Sequence, residues 1–126
     1  NATILTKTAN KNTAVILNIE GKDAVNNFDE ILEVENADIY FVGLFDLSKA
    51  LGIPGDVSNP MVIDALAEII KKANKAGKFV GTIATTKEKM AEFLEMGVKY
   101  MVYLVDCEIL RSGYESVVDS FNQEIK

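Results

Sequence analysis

Histidine is absent from this sequence, and cysteine and arginine each occur once among its 126 residues, as Cys107 and Arg111. Without histidine, the chain cannot build a Ser-His-Asp triad, a Cys-His pair or a histidine-ligated zinc site. A lone cysteine excludes a disulfide within the chain and is typical of a protein in a reducing, cytoplasmic environment. Any metal held by this chain must therefore bind to oxygen ligands, which favours magnesium, manganese or calcium.

Positive charge and long apolar runs are also scarce. The formal net charge is −6, with 19 acidic residues against 13 basic ones, so we expect no general binding to nucleic acid, which requires a basic face. No run approaches about 18 consecutive apolar residues, and no basic segment followed by an apolar one opens the chain, so we expect neither a membrane span nor a secretory signal. The chain starts at Asn1 rather than at a methionine, and we therefore suspect a piece of a longer protein.

The remaining composition predicts one folded domain over residues 1–126. Hydrophobic residues make up 48% of the chain, enough for a core, and apolar runs alternate with segments of helical periodicity. The predicted strands are Thr13–Ile19, Asp38–Val42, Lys78–Ala84 and Lys99–Val105. The predicted helices are Lys22–Val34, Leu47–Leu51, one that begins at Pro60 and is capped by Gly77, one that is capped by Thr86 and runs to about Met96, and one after Asp106 that runs to about Ile125. This alternation predicts an α/β fold with a parallel sheet and right-handed crossovers.

The segment before the first strand and the two longest helices complete this prediction. Residues 1–12 are polar and are interpreted as a connector or as the frayed end of an earlier helix. The helix that begins at Pro60 carries an apolar stripe at helical spacing, formed by Ile63, Leu66, Ala67, Ile70 and Ala73. The last helix carries a second one, formed by Leu110, Tyr114, Val117, Val118, Phe121 and Ile125.

Two carboxylates follow neighbouring strands of the predicted sheet. Glu20 comes directly after the first strand, and Asp46 follows the second strand in what is predicted to be a loop. Because ligands bind at the carboxyl ends of parallel strands, which lie about 4.8 Å apart, these side chains can grip one hard divalent cation. Asn18 lies on the same side of its strand as Glu20 and is a candidate oxygen donor. Simpler interpretations stay open, with Glu20 near a helix dipole, Asp46 as an N-cap and Asn18 as an internal polar residue.

Three segments around these acids resemble one enzyme family. They read N-I-E at Asn18–Glu20, N-F-D-E-I-L at Asn27–Leu32 and F-V-G-x-x-D-L-S-x-x-L-G at Phe41–Gly52. Together they resemble the HpcH/HpaI family of metal-dependent pyruvate aldolases, and the resemblance covers nearly the whole chain. It implies reversible cleavage of a 4-hydroxy-2-oxo acid to pyruvate and an aldehyde. It also implies that Glu20 and Asp46 are the ligands of a magnesium or manganese ion.

The resemblance further points to residues that contact the substrate. Asn18 stands where the family usually has glutamine, near the metal. Leu44 and Phe45 replace the family's Pro-Ala in the loop that helps to hold pyruvate, so the bulky Phe45 is expected to change the size of substrate that fits. Ile83 ends the third predicted strand and is a further candidate substrate contact, with core lining as the alternative. Asp106, the family's late acid, is interpreted as a helix cap.

The family's fold is an eight-stranded (β/α)8 barrel, also called a TIM barrel, and the four β-α units of this chain align with its C-terminal half. A half barrel exposes two unpaired strand edges and an open face, so we expect a homo-oligomer or a partner that supplies the N-terminal half. The family's histidine base and its enolate-stabilising arginine come from that N-terminal half and have no counterpart here. We therefore expect no catalytic residue in this half and no measurable aldolase activity from this chain alone.

Two other functions stay open. Alternating units with magnesium-binding acids are also typical of a receiver-like signalling domain with a flavodoxin-like fold, although that fold calls for adjacent acids after the first strand. This chain has only Glu20 there. The second alternative is a divergent barrel that keeps the metal but acts on another 2-oxo acid, because Leu44-Phe45 and Leu104-Val105 replace smaller residues of the family.

Overall fold

Four strands form one parallel sheet in the computed structural model, which describes residues 2–125. The strands are β1 (Ile16–Ile19), β2 (Ile39–Val42), β3 (Phe79–Ala84) and β4 (Tyr100–Tyr103). Each pairs in parallel with the next along the chain, so β1 and β4 are the edges of the sheet. The predicted parallel α/β fold is confirmed. The receiver-like alternative is wrong, because a flavodoxin-like sheet has the strand order 2-1-3-4-5 rather than a sequential one.

All four strands are shorter than the sequence predicts, and the edge strands β1 and β4 are each three residues shorter for local reasons. The backbone N–H of Val15 donates to Asp38 Oδ2 at 2.7 Å, so this residue is held by a side chain before the regular ladder of β1 begins. At the other edge, Leu104 follows β4 with a φ of 55°, in the left-handed region that side chains other than glycine rarely adopt. That residue turns the chain out of the strand and toward the last helix.

The described helices are α1 (Ala2–Asn12), α2 (Lys22–Asn26), α3 (Phe28–Leu32), α4 (Leu44–Ala50), α5 (Pro60–Lys75), α6 (Lys87–Met96) and α7 (Asp106–Glu124). The first segment forms the helix α1. Its interpretation as a connector is therefore wrong, and its other interpretation, as the end of an earlier helix, agrees with the structure. The single helix predicted over Lys22–Val34 is also wrong. It is divided at Asn27, whose backbone leaves helical geometry with φ −99° and ψ 18°.

The predicted helix boundaries are confirmed most closely at α5 and α6. Asn59 is the N-cap of α5, and its side chain accepts a hydrogen bond from the backbone N–H of Met61 at 3.1 Å. Thr86 caps α6 in the same way, with its hydroxyl oxygen accepting from the Lys89 N–H at 3.1 Å. Gly97 ends α6 with a φ of 106°, which costs glycine little.

The core lies between one face of the sheet and the helices that cover it. Tyr40, Val42 and Val80 point to this face and are fully buried, and the Phe28 ring meets the Tyr40 ring edge-on with centroids 5.5 Å apart. Thr82 is a buried polar residue of the same face, and its hydroxyl donates to the Val42 carbonyl at 2.8 Å. The buried face of α5 consists of Val62, Leu66, Ile69, Ile70 and Ala73. The predicted stripe is thus right at Leu66, Ile70 and Ala73, whereas Ala67 is exposed and Ile63 is half-buried.

The opposite face of the sheet has no helix over it among the described residues. The strand registers place Asn18, Phe41, Gly81 and Tyr100 in one row across this open face. The Phe41 and Tyr100 rings meet above Gly81, with centroids 6.1 Å apart. Apolar side chains of the open face are exposed, including Ile16 and Phe79. No helix within residues 2–125 has both the length and the apolar character required to cross a membrane.

Candidate functional site

The Glu20 side chain lies directly against the backbone of Gly43. These residues are next to each other because Ile19 and Val42 are register partners, and the Gly43 N–H donates to the Ile19 carbonyl at 3.3 Å. A Cβ atom placed on Gly43 would be 2.8 Å from Glu20 Oε2 and 3.2 Å from Glu20 Cβ. Real Cβ atoms essentially never come within 3.0 Å of another atom, so a side chain at position 43 would require the Glu20 carboxylate to move. Glycine at position 43 therefore leaves the space in which the Glu20 carboxylate sits at the carboxyl edge of β1 and β2.

Asp46 lies in the first turn of α4 and not in a loop. The helix begins at Leu44, three residues earlier than predicted, and its N-cap is Gly43, so the interpretation of Asp46 as an N-cap is wrong. As the third residue of the helix, Asp46 lies one turn from the glycine against which Glu20 rests. Glu20 and Asp46 thus both follow the carboxyl ends of neighbouring strands, and an acid in a first turn is favoured by the helix dipole.

Ser48 fixes the loop that follows this helix. Its hydroxyl donates to the Phe45 carbonyl at 2.6 Å and accepts from the Gly55 N–H at 2.9 Å, and the residue is fully buried. Because one hydroxyl serves both segments, the start of α4 and the loop 52–59 are held together. The residues around Asp46 thus form a rigid unit.

The donor set fits a hard divalent cation. Within the described residues, no hydrogen bond or ion pair engages the carboxylate of Glu20 or of Asp46, so both remain available as ligands. In the same part of the chain, no group of three or more histidine, cysteine or acidic side chains is placed to hold a metal. A cation here would take two carboxylates from the protein and complete its shell with water or substrate oxygens, as magnesium and manganese do.

Comparison with known proteins identifies the family. The HpcH/HpaI aldolase/citrate lyase family matches residues 3–112 of this chain. The chain belongs to this family. It is 33% identical over 115 residues to a 5-keto-4-deoxy-D-glucarate aldolase of Shigella boydii, a match that covers 91% of this chain and 45% of the aldolase. The chain thus spans about half the length of the curated relatives it matches.

Two solved structures share this fold. An HpcH/HpaI aldolase from Desulfitobacterium hafniense superposes with a TM-score of 0.83 at 25% identity, covering 96% of this chain and 47% of that one. The citrate synthase SbnG superposes with a TM-score of 0.81 at 26% identity, covering 98% of this chain and 51% of that one. The architecture described above therefore corresponds to about half of a known HpcH/HpaI chain.

The candidate substrate residues of this family member fall into three different environments. Asn18 is exposed on the open face, on the same side as Glu20. Leu44 is only 3% exposed and belongs mainly to the core, whereas Phe45 is 62% exposed in the first turn of α4. Ile83 is half-buried at the end of β3. The structure brings Leu44, Phe45 and Ile83 together on the wall of one cavity.

Sequence reasoning did not single out the other side chains of that cavity. Val57, Lys89 and Phe93 also line it, and they come from the loop after α4 and from α6. No local motif marks them, because they meet only when α6 packs beside β3. Gly43 was likewise seen only as the end of a strand, since its contact with Glu20 depends on the register between β1 and β2.

The remaining polar candidates lie on α7, which follows β4. Asp106 is the first residue of α7 and not its N-cap, but its carboxylate accepts from the Cys107 N–H at 2.8 Å, which supports a local role at the helix start. Cys107 is exposed. Arg111 pairs with Glu108 at 2.6 Å and with Glu115 at 3.1 Å, and the hydrogen bond that its guanidinium donates to Glu108 is the main cause that raises its pKa.

Proposed function

We propose that this chain is the C-terminal half of a metal-dependent aldolase barrel that reversibly cleaves a 4-hydroxy-2-oxo acid to pyruvate and an aldehyde. The observation that carries the proposal is the Glu20 carboxylate lying on Gly43, one helical turn from Asp46. Two unpaired acids at the carboxyl edge of a parallel sheet are suited to a cation that also binds substrate oxygens. Membership of the aldolase family supports the same chemistry.

In this proposal each residue of the site has a defined task. Glu20 and Asp46 hold the cation, and Gly43 leaves room for the first of them. A bound magnesium or manganese ion would supply Lewis acidity toward the 2-oxo group of the substrate. Asn18 presents its amide on the same face and orients an oxygen of the substrate or of a water molecule. Phe45 limits the space beside the acids.

A proton acceptor for the methyl group of pyruvate is missing from this chain. The sequence has no histidine, and general base catalysis near neutral pH needs a group whose pKa lies close to the operating pH. Arg111, the only arginine, is paired with glutamates on α7 and does not serve the edge that carries Glu20. The proposed reaction therefore requires residues from a second segment.

We place that second segment against the open face of the sheet, as an N-terminal half barrel or as another copy of this chain. Three observations support this placement. The chain spans about half the length of its relatives, β1 and β4 are unpaired edges, and the open face carries exposed apolar side chains such as Ile16 and Phe79. Unpaired edges and exposed apolar surface both recruit a partner.

Metal binding is tested by thermal melts and by calorimetric titration with Mn²⁺. A ligand at 100 times its Kd stabilises a fold by about 2.7 kcal/mol, so we expect Mn²⁺ to raise the melting temperature of the chain. Glu20→Gln and Asp46→Asn should each remove this response, and Gly43→Ala should weaken it by displacing Glu20. Glu33→Gln, at an exposed acid after α3, is the matched control and should respond like the wild type. An unchanged response in both ligand variants would exclude the site.

Activity is tested with the purified chain and a 4-hydroxy-2-oxo acid in the presence of Mg²⁺. We expect no measurable release of pyruvate from this chain alone, because the base is missing. Metal-dependent cleavage by the 126-residue chain would contradict this expectation and would require a different base. Cleavage that appears only after an N-terminal half barrel of a relative is added would support the two-segment site.

A second candidate function is action on a 2-oxo acid other than pyruvate. It is favoured by Leu44 and Phe45 at the positions where the family has smaller residues, and by the likeness to a citrate synthase. The two candidate functions differ in which 2-oxo acid binds to the metal. Water-proton relaxation of the Mn²⁺-loaded chain should fall on addition of pyruvate under the aldolase proposal, and more strongly with oxaloacetate under the alternative.

A further inference from the structure

A cavity of about 310 Å³ lies beside the edge of the sheet that carries Glu20 and Asp46, where the cation is proposed to bind. It is enclosed by the start of α4, the loop that follows it, the end of β3 and one side of α6. Its wall is mostly apolar. Its apolar side chains are Leu44, Phe45, Val57, Ile83 and Phe93, and the side chains of Ser58, Thr85 and Lys89 complete the lining.

Two residues connect this cavity to the candidate metal ligands. Ile83 follows Thr82, the register partner of Val42, so it stands beside Gly43 in the row that also contains Glu20. Phe45 directly precedes Asp46 in the first turn of α4. The wall of the cavity is therefore continuous with the edge of the sheet at which the cation is proposed to bind.

The single charged side chain of the cavity wall is already neutralised. Lys89 Nζ lies 2.8 Å from Glu92 Oε2 and 5.8 Å from the centroid of the Phe93 ring. Its charge is thus directed to a carboxylate and an aromatic face, while its methylene groups are free to cover apolar surface. The hydroxyls of Ser58 and Thr85 are the other polar side-chain groups of the lining. A substrate portion with several hydroxyls therefore finds few replacements for its hydrogen bonds to water, which costs free energy for each group left unpaired.

We infer that this cavity receives an apolar substituent, aromatic or branched aliphatic, carried by the aldehyde portion of the substrate. The inference rests on the proposed function, since the cavity gains this role from the metal edge beside it. It also separates this chain from the relatives named as aldolases of 5-keto-4-deoxy-D-glucarate, a polyhydroxylated acid. A substrate with several hydroxyls on its distal portion would leave them unpaired here, and polar mismatch of this kind discriminates strongly between substrates.

The test uses the 126-residue chain with ¹³C-labelled isoleucine, leucine and valine methyl groups, and benzyl alcohol and glycerol as probes. Benzyl alcohol should shift the Ile83 and Val57 methyl signals in a saturable way, and glycerol should not. Val57→Asn should weaken the binding of benzyl alcohol at least tenfold, whereas Val34→Asn, at an exposed valine outside the cavity, should leave it unchanged.

A second measurement ties the cavity to the metal. With Mn²⁺ bound, the aromatic protons of benzyl alcohol should broaden far more than with Mg²⁺, because a paramagnetic ion relaxes only nearby nuclei. Absent shifts, shifts that persist in a folded Val57→Asn variant, or equal shifts with glycerol would each overturn the inference while leaving Mn²⁺ binding intact. Saturable binding of benzyl alcohol without any Mn²⁺ binding would overturn both the inference and the proposed function.

Discussion

Helices α5 and α7 have similar apolar stripes in sequence and opposite surroundings in the structure. Leu66 of α5 is fully buried against the sheet, together with the rest of its inner face. On α7, Phe121 is 65% exposed and Tyr114 is 68% exposed, and no residue of that helix is buried. Both helices follow a strand of the same parallel sheet, so amphipathic pattern alone does not decide which helix is covered.

The difference comes from the place of each helix in the series of β-α units. Helix α5 lies between β2 and β3 in sequence and packs on β3, because a crossover must return to the sheet. Helix α7 follows β4, and within the described residues no further strand comes after it to return the chain to the sheet. Its stripe is therefore suited to a surface outside the described residues, and the proposed second segment or a second copy of the chain provides one.

The largest effect is expected from truncating the covered stripe. Leu66→Ala removes a fully buried side chain and leaves a cavity, which costs about 2–5 kcal/mol of the free energy of unfolding. Leu110→Ala, on the exposed stripe of α7, should change it by less than about 0.5 kcal/mol. Urea unfolding of both variants measures the two values. Equal destabilisation would show that the stripes are not in different environments.

Adding a methyl group is expected to change the free energy of unfolding by a smaller amount, lowering it in β3 and raising it in α7. At Gly81 a Cβ atom would lie 2.7 Å from Tyr100 Cδ1 and 3.0 Å from the Tyr100 carbonyl oxygen, so Gly81→Ala should cost about 1–3 kcal/mol. At Gly113 of α7 a Cβ atom meets nothing within 4 Å, and alanine in a helix should stabilise by up to about 1 kcal/mol. Thermal unfolding of the two variants, which should move in opposite directions, checks this contrast.

The next effect in size is expected from removing the N-cap of α6. Thr86→Ala removes the hydroxyl that accepts from the Lys89 N–H at the start of α6 and should cost about 1 kcal/mol. Thr85→Ala, one residue earlier and outside the cap, is the control. Capping also lowers the pKa of Glu88 through hydrogen bonds from its own backbone and from Thr86. Because the folded pKa lies below its usual value, this contribution is present above that value and is lost as the pH falls through the folded pKa.

The smallest effect on stability is expected from Phe121→Asp. Its effect on self-association, by contrast, separates the exposed stripe of α7 from the buried stripe of α5 most sharply. Since Phe121 is exposed, the variant should unfold within about 0.5 kcal/mol of the wild type. Sedimentation velocity at micromolar concentration should nevertheless show less self-association. Ser116→Asp adds the same charge on the polar side of α7 and should associate like the wild type. A wild-type chain that stays monomeric at all concentrations would contradict a role of this stripe in association.

Much of the fold follows from local chemistry in the sequence. Asn59, Thr86 and Gly97 mark helix ends because their side chains, or the lack of one, satisfy the backbone at those points. The β-branched and aromatic runs mark the strands. The break at Asn27 escaped prediction because apolar spacing continues across it, so periodicity shows one face of a helix where there are two short ones.

The candidate site was only partly predictable, for a different reason. Glu20 and Asp46 could be found because each follows a strand in sequence. The contact between Glu20 and Gly43 depends on the register of β1 against β2, and the approach of Val57 to Lys89 around one cavity depends on packing of distant segments. Such relations exist only in three dimensions, and no spacing along the chain encodes them.

The sequential strand order has a consequence for how the chain acquires its structure. Since each strand pairs only with the one before it and the one after it, no pairing waits for a distant segment. Each pair nevertheless joins two strands that are separated by a helical crossover. Parallel pairing of this kind is slow, because the crossover must close before the strands can pair. We therefore expect each β-α-β unit to form as a whole, with α7 exposed from the moment it forms.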